Sequence, residues 1–398
     1  EPVGAAVWYD GLHDIPDGLM LGVPGRLMPL ATSGLLSWRG KARAAIEPLL
    51  PRTSTAADAI GAFVRARFGD EVQERLVDAL VGSIYAADTD RFSLAEVPQL
   101  AGLADGSRSV LIGARRMRAA GTATASASPL FATPRGGMAQ LVDAVADAAT
   151  AAGAELRVAT PVDELRRDER DGSWLVDGER VDAVVSAMPA AATADVVDAA
   201  APDAAELLRQ ATRADVVMVT LHVPAEQWPE RLRGRSGYLV PKPVQRLVTA
   251  ASFGSQKWAH WRPPGGGEIV RVSLGRDGLP VLHLPDEDLL DRTLAELTHH
   301  LGFEPVPAEH RITRWPGAFA QYRPHHRQWV EAVERALPGG LFVGGAAYRG
   351  IGIPACVRQG RDVADRAAEW AAHRPAGGIG DDIGHEVDDR ASGSGGRL

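Results

Sequence analysis

The stretch GLFVGGAAYRGIGIPACVRQGRDVADRAA, residues 340–368, constrains the chain more than any other. It reads as a short strand over Leu341–Val343, a turn rich in glycine (Gly344, Gly345, Gly350, Gly352), and a helix opened by Pro354. Glycine permits positive φ and close backbone approach. Proline suits the first helical turn, where its missing N–H costs nothing. Strand, turn and helix start together gather free backbone N–H groups that can face a phosphate or an electron-rich ring. Gly350, Gly352 and Ala355 imitate the spacing of a GxGxxA dinucleotide fingerprint. That fingerprint, however, opens a βαβ unit with an acidic residue about 20 residues further on. Here a Gly-rich, acidic, aromatic-free tail from Pro375 follows instead, and its composition predicts disorder. Taken alone, the pattern suits equally a tight turn and helix start that hold no ligand.

A chain of 398 residues exceeds one small core and suggests two domains, or one with a large insertion. Its formal charge of −8 argues against non-specific nucleic-acid binding. Cys356 is the single cysteine, which excludes an intramolecular disulfide and a cysteine-cluster metal site and fits a reducing cytosol. No uninterrupted apolar run is long enough to span a bilayer, so a cytoplasmic protein without a transmembrane segment is expected.

Read in order, AAVWYDGLH at 5–13 predicts a hairpin turning at Asp10-Gly11. Helical spacing follows from Ser37, a candidate N-cap, and again over 55–78 with a break at Gly69. Ser93 and Ser107 are candidate caps for later helices, and the small residues of 120–130 read as a flexible loop. From Phe131 the character changes to a glycine turn, an alanine-rich helix, and short strands that include AELRVAT and RVDAVVSAMP. Residues 191–210 return to an alanine-rich helix. Segments 216–224, 238–241, 247–255 and 268–275 alternate as an antiparallel sheet would. A helix capped by Asp286 runs to Leu301, and a strand and loop over HRITRWPGAFAQYRPHH and a short helix at 328–337 lead into the opening stretch. The similar blocks 131–190 and 340–372 suit one domain, with 14–128 and 215–325 forming another.

Few residues point to chemistry on their own. The pairs His299/His300 and His325/His326 lack a third ligand at zinc spacing, so solvated or capping histidines are expected, with no metal. No serine sits in a GxSxG elbow. Trp315 and Tyr322 lead into the glycine turn and suit a planar ligand, or plain packing near the surface. Arg135 and Arg323 lie in Gly/Pro loops where they can meet an anion or only solvent, and Arg115, Arg116 and Arg118 make a basic helix end. Cys356 falls in the first turn of the last helix, where a structural thiol is the better reading. No general base stands out.

Several pieces carry a resemblance in order over residues 5–372. They are LHDIPDGLMLGVP, SGLLSWRGKARAAIEP, FVRARFGDEVQERLVDALVGSIYAADTDRFSLAEVPQL, FATPRGGMAQL, ATPVDEL with VDAVVSAMPA, and RWPGAFAQYRPHH with LFVGGAAYRGIGIPACVRQG. Together they resemble the FAD-dependent coproporphyrinogen and protoporphyrinogen oxidases, within the larger amine-oxidase-like flavoproteins. The resemblance implies an α/β and α+β fold, with an incomplete doubly wound FAD-binding domain, a mixed-sheet substrate domain and a helical insertion domain. The implied boundaries are a substrate-side hairpin (1–27), a helical substrate- or membrane-side domain (28–128), FAD-binding parts (129–205 and 326–374), a substrate sheet (206–325) and a tail (375–398).

It implies FAD as cofactor, with Val162 at the adenine and Gly344 and Gly345 towards the pyrophosphate. Gly352, Ile353 and Pro354 would lie beside the isoalloxazine ring, with Trp315 near it. Arg115, Arg135 and Arg323 become the candidates for substrate carboxylates. The implied reaction passes a hydride from a porphyrinogen methylene bridge to flavin, loses an N–H proton, and lets O2 reoxidise the flavin until the macrocycle is aromatic. Coproporphyrinogen III is the expected substrate, protoporphyrinogen IX the alternative, and a ferrochelatase the expected recipient of the product. An amine or carotenoid oxidase of the same group, or a truncated inactive fragment, are the remaining readings. Family members begin with a strand, a GxGxxG turn and a helix. This sequence opens roughly 70 residues into the resemblance, beyond one such βαβ unit, so that N-terminal unit is expected to be missing. Mitochondrial members carry a carboxylate-binding arginine near the position of Gly4, which has no counterpart here.

Overall fold

Period-two alternation builds the largest element, a seven-stranded sheet. The computed structural model describes residues 4–124, 132–168 and 170–373; the tail expected from Pro375 and the greater part of the loop expected over 120–130 lie outside them. Strands β1 (Gly4–Trp8) and β2 (Leu12–Asp14) form the expected hairpin, with Asp10 and Gly11 at positive φ in its turn. A helical block follows. It contains α1 (Ile60–Phe68), stopped by Gly69 at φ +88°, a wide π-helical stretch Gln73–Gly82, and α2 (Val110–Thr124). Next come α3 (Ala139–Ala151) and the short β3 (Val184–Ser186). Four strands then complete most of the sheet: β4 (Thr212–Val223), β5 (Arg235–Leu239), β6 (Val248–Phe253) and β7 (Glu268–Leu274). The chain finishes with α4 (Asp286–Leu301), β8 (Glu309–Gln321), α5 (His326–Ala336), β9 (Leu341–Val343) and α6 (Ile353–His373).

The sheet order is β8-β4-β7-β6-β5-β1-β2, and every neighbouring pair is antiparallel except β1 with β5. One face is buried: Val217, Val219, Leu221 and Val223 of β4 join Leu289, Leu297 and Leu301 of α4 in one core. Alternation sends the intervening residues to the other face, and directly opposed residues share a face. Trp315 opposite Val216, and Thr313 opposite Met218, therefore lie on the face turned away from α4. A separate parallel pair, β3 with β9, joins segments far apart in sequence. The fold is thus α/β and α+β with a mixed sheet.

The helical block has its own core, including Phe63, Phe68, Leu76, Phe92, Leu100 and Leu103. Each such side chain stabilises the fold by about 1.5–3 kcal/mol when fully buried. Ser37 caps its helix as expected, accepting from the Gly40 N–H at 3.2 Å. Three cap expectations are corrected. Ser109, not Ser107, accepts from the Ile112 N–H at the start of α2, because the Ser107 hydroxyl donates to the Ser109 carbonyl. Ser93 donates to Asp58 while the next helix starts at Pro98. Asp286 occupies the first turn of α4, with Pro285 at the cap, and pairs with Arg314. AELRVAT, expected as a strand, is irregular and pairs with no strand among the described residues. A parallel strand takes its hydrogen bonds only from neighbours, so an unpartnered one has no reason to extend. Helix α3 buries none of its residues and stands on alanine propensity.

Two fully buried ion pairs tie the parts together. Glu47 accepts from Arg67 Nε at 2.8 Å and from the Ser109 hydroxyl and Val110 N–H at the start of α2. Asp78, on the π-helical stretch, receives both guanidinium nitrogens of Arg276 at 2.8 Å, and also the Thr89 hydroxyl. Arg276 follows β7, so this pair joins the helical block to the sheet. Removing one partner strands a buried charge. Asp78→Leu should therefore cost about 3–5 kcal/mol. Asp78→Leu with Arg276→Leu should cost less than Asp78→Leu alone, as read from urea unfolding of the three proteins. A double variant as unstable as Asp78→Leu alone, or more so, would contradict this.

Candidate functional site

Parallel strands aim their carboxyl ends at one crevice, the usual position for a ligand in such sheets. Beyond Ser186 of β3 and Val343 of β9 lies a cavity of about 320 Å3. Ala187 to Ala190, Ala346 and Ala347 line one side, and the end of β8 with the start of α5 the other. Most of this lining is alanine and other apolar groups. The polar residues lining it are Gln210, Thr212, Arg213, Gln321, Arg323 and His326.

The glycine turn starts at the same strand ends. Gly344 N–H donates to the Ser186 carbonyl at 2.9 Å, and Gly345 N–H donates to the Gln359 side-chain carbonyl at 2.9 Å. Gln359 is buried on α6, so the helix holds the turn that precedes it. Gly350 has φ +117°, and a Cβ there would sit 2.6 Å from the Ala355 Cβ. A side chain at that position would displace the helix start.

Tyr322 closes the turn from outside. Its hydroxyl donates to the Ala346 carbonyl at 2.7 Å and accepts from the Gly350 N–H at 2.9 Å. The ring is 1% exposed and stacks on His326 with centroids 4.0 Å apart. His326 Nε2 is 2.9 Å from the Tyr348 carbonyl, which can only accept, so that nitrogen carries the proton. Burial pushes the His326 imidazole down to about 4, against the hydrogen bonds to Tyr348 and Ala347. His300 falls to about 4 as well, chiefly through burial, packed on Trp8 and hydrogen-bonded by Tyr238. The expectation of solvated or capping histidines is corrected for both: their neighbours, distant in sequence, bury them.

The expected site residues separate into groups. Gly344, Gly345, Gly352, Ile353 and Pro354 share the turn and the first turn of α6, where Ile353 and Val357 are about half-exposed. Cys356, half-buried in the same turn, lies near the Gly350 and Ile351 carbonyls. Trp315 is 50% exposed on the free sheet face, at a bulge between Trp315 and Phe319. Val162 lies on the irregular stretch before Leu165 and does not line the cavity. Arg323 does line it, but both its terminal nitrogens are held by Asp277 at 2.6 and 3.0 Å. Although burial opposes it, Arg323 and Arg91 hold the Asp277 carboxyl below the usual range. Arg115 belongs to a separate groove with Arg26 and Arg118 on the helical block, and Arg135 sits exposed before α3.

Sequence reasoning missed Arg213, Gln321 and Gln359. Gln359 left one signal, a polar residue on the inward face of an amphipathic helix. Arg213 makes no ion pair among the described residues and faces both the cavity and the groove beside it. The residues of the turn fit a flat, electron-rich ring. Backbone replaces side chains at the two positive-φ glycines, and two apolar side chains stand open on the adjoining helical turn.

Comparisons with known proteins agree with that fit. The profile of the family described as flavin containing amine oxidoreductase matches residues 2–368, and the chain belongs to that family. It is a flavin-dependent oxidoreductase. A coproporphyrinogen III oxidase of Propionibacterium freudenreichii is 33% identical over 399 residues, covering 90% of this chain and 74% of that protein. The coproporphyrinogen III oxidase of Bacillus subtilis is 29% identical over 365 residues, covering 88% and 76%. A crystal structure from Exiguobacterium sp. 255-15, named as a candidate protoporphyrinogen oxidase, superposes with TM-score 0.76 at 25% identity, covering 94% of this chain and 80% of that one.

The buried histidines make stability pH-dependent. Between about pH 6.5 and 4 the unfolded chain takes up a proton at His326 and the folded one does not. Stability therefore falls as pH falls through that window, by up to about 3 kcal/mol for this residue. His326→Gln should flatten the slope of unfolding free energy against pH, leaving the share due to His300. An unchanged slope would show that His326 titrates normally.

Proposed function

We propose that this flavin-containing amine oxidoreductase binds FAD and uses O2 to oxidise coproporphyrinogen III to coproporphyrin III, in the cytoplasm, as a step of haem biosynthesis. The observation that carries the reading is the glycine turn held by Tyr322 and Gln359 at the carboxyl ends of β3 and β9. It occurs in a chain whose relatives over most of its length are named for that reaction. In this reading Gly344 and Gly345 approach the pyrophosphate, and Gly352, Ile353 and Pro354 lie beside the ring. Trp315 contributes near the ring and Val162 at the adenine end. Flavin, when bound, supplies the acceptor for the electron pair that leaves a methylene bridge of the macrocycle.

The chain's own residues supply position and environment. The positive end of the α6 dipole, at Ile353, favours negative charge nearby. Trp315, Met218 and Phe319 offer an apolar sheet face against which a macrocycle can lie and from which it displaces water. The substrate is anionic and the protein net acidic, so local arginines must meet the carboxylates. Arg323 is already committed to Asp277, and Arg115 and Arg135 lie on other surfaces, so Arg213 joins these candidates as the one that lines the cavity without a carboxylate partner. The aromatic product then passes to a ferrochelatase. Among the described residues no helix is long and apolar enough to cross a membrane.

Protoporphyrinogen IX is the second reading, favoured by the name given to the Exiguobacterium structure. Purified protein titrated with FAD should acquire flavin absorbance. Mixed anaerobically, coproporphyrinogen III should bleach that flavin at least about tenfold faster than protoporphyrinogen IX, a difference of roughly 1.4 kcal/mol in barrier. The reverse preference would move the assignment to protoporphyrinogen IX. A colourless protein that takes up no FAD would sink the enzymatic reading.

A further inference from the structure

Tyr322 lies outside the glycine turn, yet its hydroxyl bonds to both ends of the loop Ala346–Gly350. A phenol has one proton to donate and lone pairs to accept, and here each is used on a backbone group of the same loop. The ring itself cannot follow the loop if the loop moves. It stacks on His326 at 4.0 Å and on Phe92 at 5.7 Å, and the Tyr322 carbonyl accepts from the Ser93 N–H at 2.7 Å. The hydroxyl is therefore a fixed peg, anchored in the helical block and the start of α5, to which the loop is tied. Burial also pushes the phenol well above its ordinary value, so it stays protonated and able to donate.

We propose that Tyr322 is a positioning residue whose hydroxyl sets the geometry of the glycine turn, and through it the first turn of α6, against the bound flavin. The inference rests on the flavin reading above. Gly350 at φ +117° is the point where the tie acts, since the chain passes there directly into the helix start. Without the tie, a run with four glycines has many other conformations available, and the helix start loses its fixed direction.

The test compares the full chain with Tyr322→Phe, which keeps the stacked ring and deletes only the hydroxyl. Phe68→Leu, in the core of α1, serves as a variant that lowers stability without touching the turn. In protein without added FAD, amide hydrogen exchange over residues 345–352 should be about tenfold faster in Tyr322→Phe and unchanged in Phe68→Leu. With FAD added, Tyr322→Phe should bind it about tenfold more weakly and shift both the visible flavin band and its midpoint potential, while Phe68→Leu leaves band and potential as in the wild type. Exchange and flavin spectrum unchanged in Tyr322→Phe would overturn the inference, as would the same changes appearing in Phe68→Leu. A wild-type chain that takes up no FAD overturns the functional reading and, with it, the flavin half of the inference. A wild type that binds FAD beside an unaltered Tyr322→Phe overturns the inference alone.

Discussion

The pairing of Asp78 with Arg276 is the interaction on which the remaining geometry depends. Both groups are buried, and each has exchanged water for the other and for backbone or hydroxyl partners. Such a pair gains little net stability over an apolar contact, yet tolerates no substitute geometry. It fixes where the π-helical stretch meets the end of β7, and so where Ala86 covers Ala214 and Val216 on the sheet face turned away from α4. An apolar joint at that place would slide; a bidentate one has a single register. The same logic repeats at Asp277, which collects Arg91 from the helical block and Arg323 from the segment leaving β8.

From that fixed joint the segment Gln321 to His326 reaches across to the third part of the molecule. Within six positions it leaves the sheet, bonds the helical block through Ser93 and Asp58, clamps the glycine turn and starts α5. Three bodies that share little sequence continuity are thus indexed to one short stretch. Its rings Tyr322 and His326 stack onward to Trp329 of α5 and Tyr348 of the turn, and His326 and Trp329 line the cavity.

Elements with local causes were legible in the sequence: the Asp10-Gly11 hairpin, the helix break at Gly69, the Ser37 cap, and the strand–turn–helix order of residues 341–373. Errors arose where two local solutions compete or where the partner is remote. Ser107 and Ser109 both have capping chemistry, and only the fold decides which hydroxyl faces the free N–H groups. AELRVAT has strand composition but no strand beside it. His300 and His326 read as polar surface because Trp8, Tyr238 and Tyr348, which bury or bond them, are far away in the chain. At the site, glycine spacing exposed the turn, but the residues that hold it, Tyr322 and Gln359, act on backbone atoms, and backbone partners leave no pattern in a sequence. Arg323 was readable as a free cation only until Asp277 was placed beside it.

The parallel pairing of β1 with β5 has a consequence for how the protein is made. Gly4 lies against Arg235, and Val7 against Leu239, so β1 is an interior member of a sheet whose long strands β4 and β8 come much later in the sequence. On a ribosome, the β1–β2 hairpin waits for its sheet partner β5 until residue 239 has cleared the exit. An isolated hairpin is marginal in water. Throughout that interval Ala6 and Trp8, buried in the finished protein in the core of the sheet, stay open to other chains. Pairing across so long a stretch of chain makes the seam between β1 and β5 a place where slow folding, misdirected pairing and chaperone contact will concentrate.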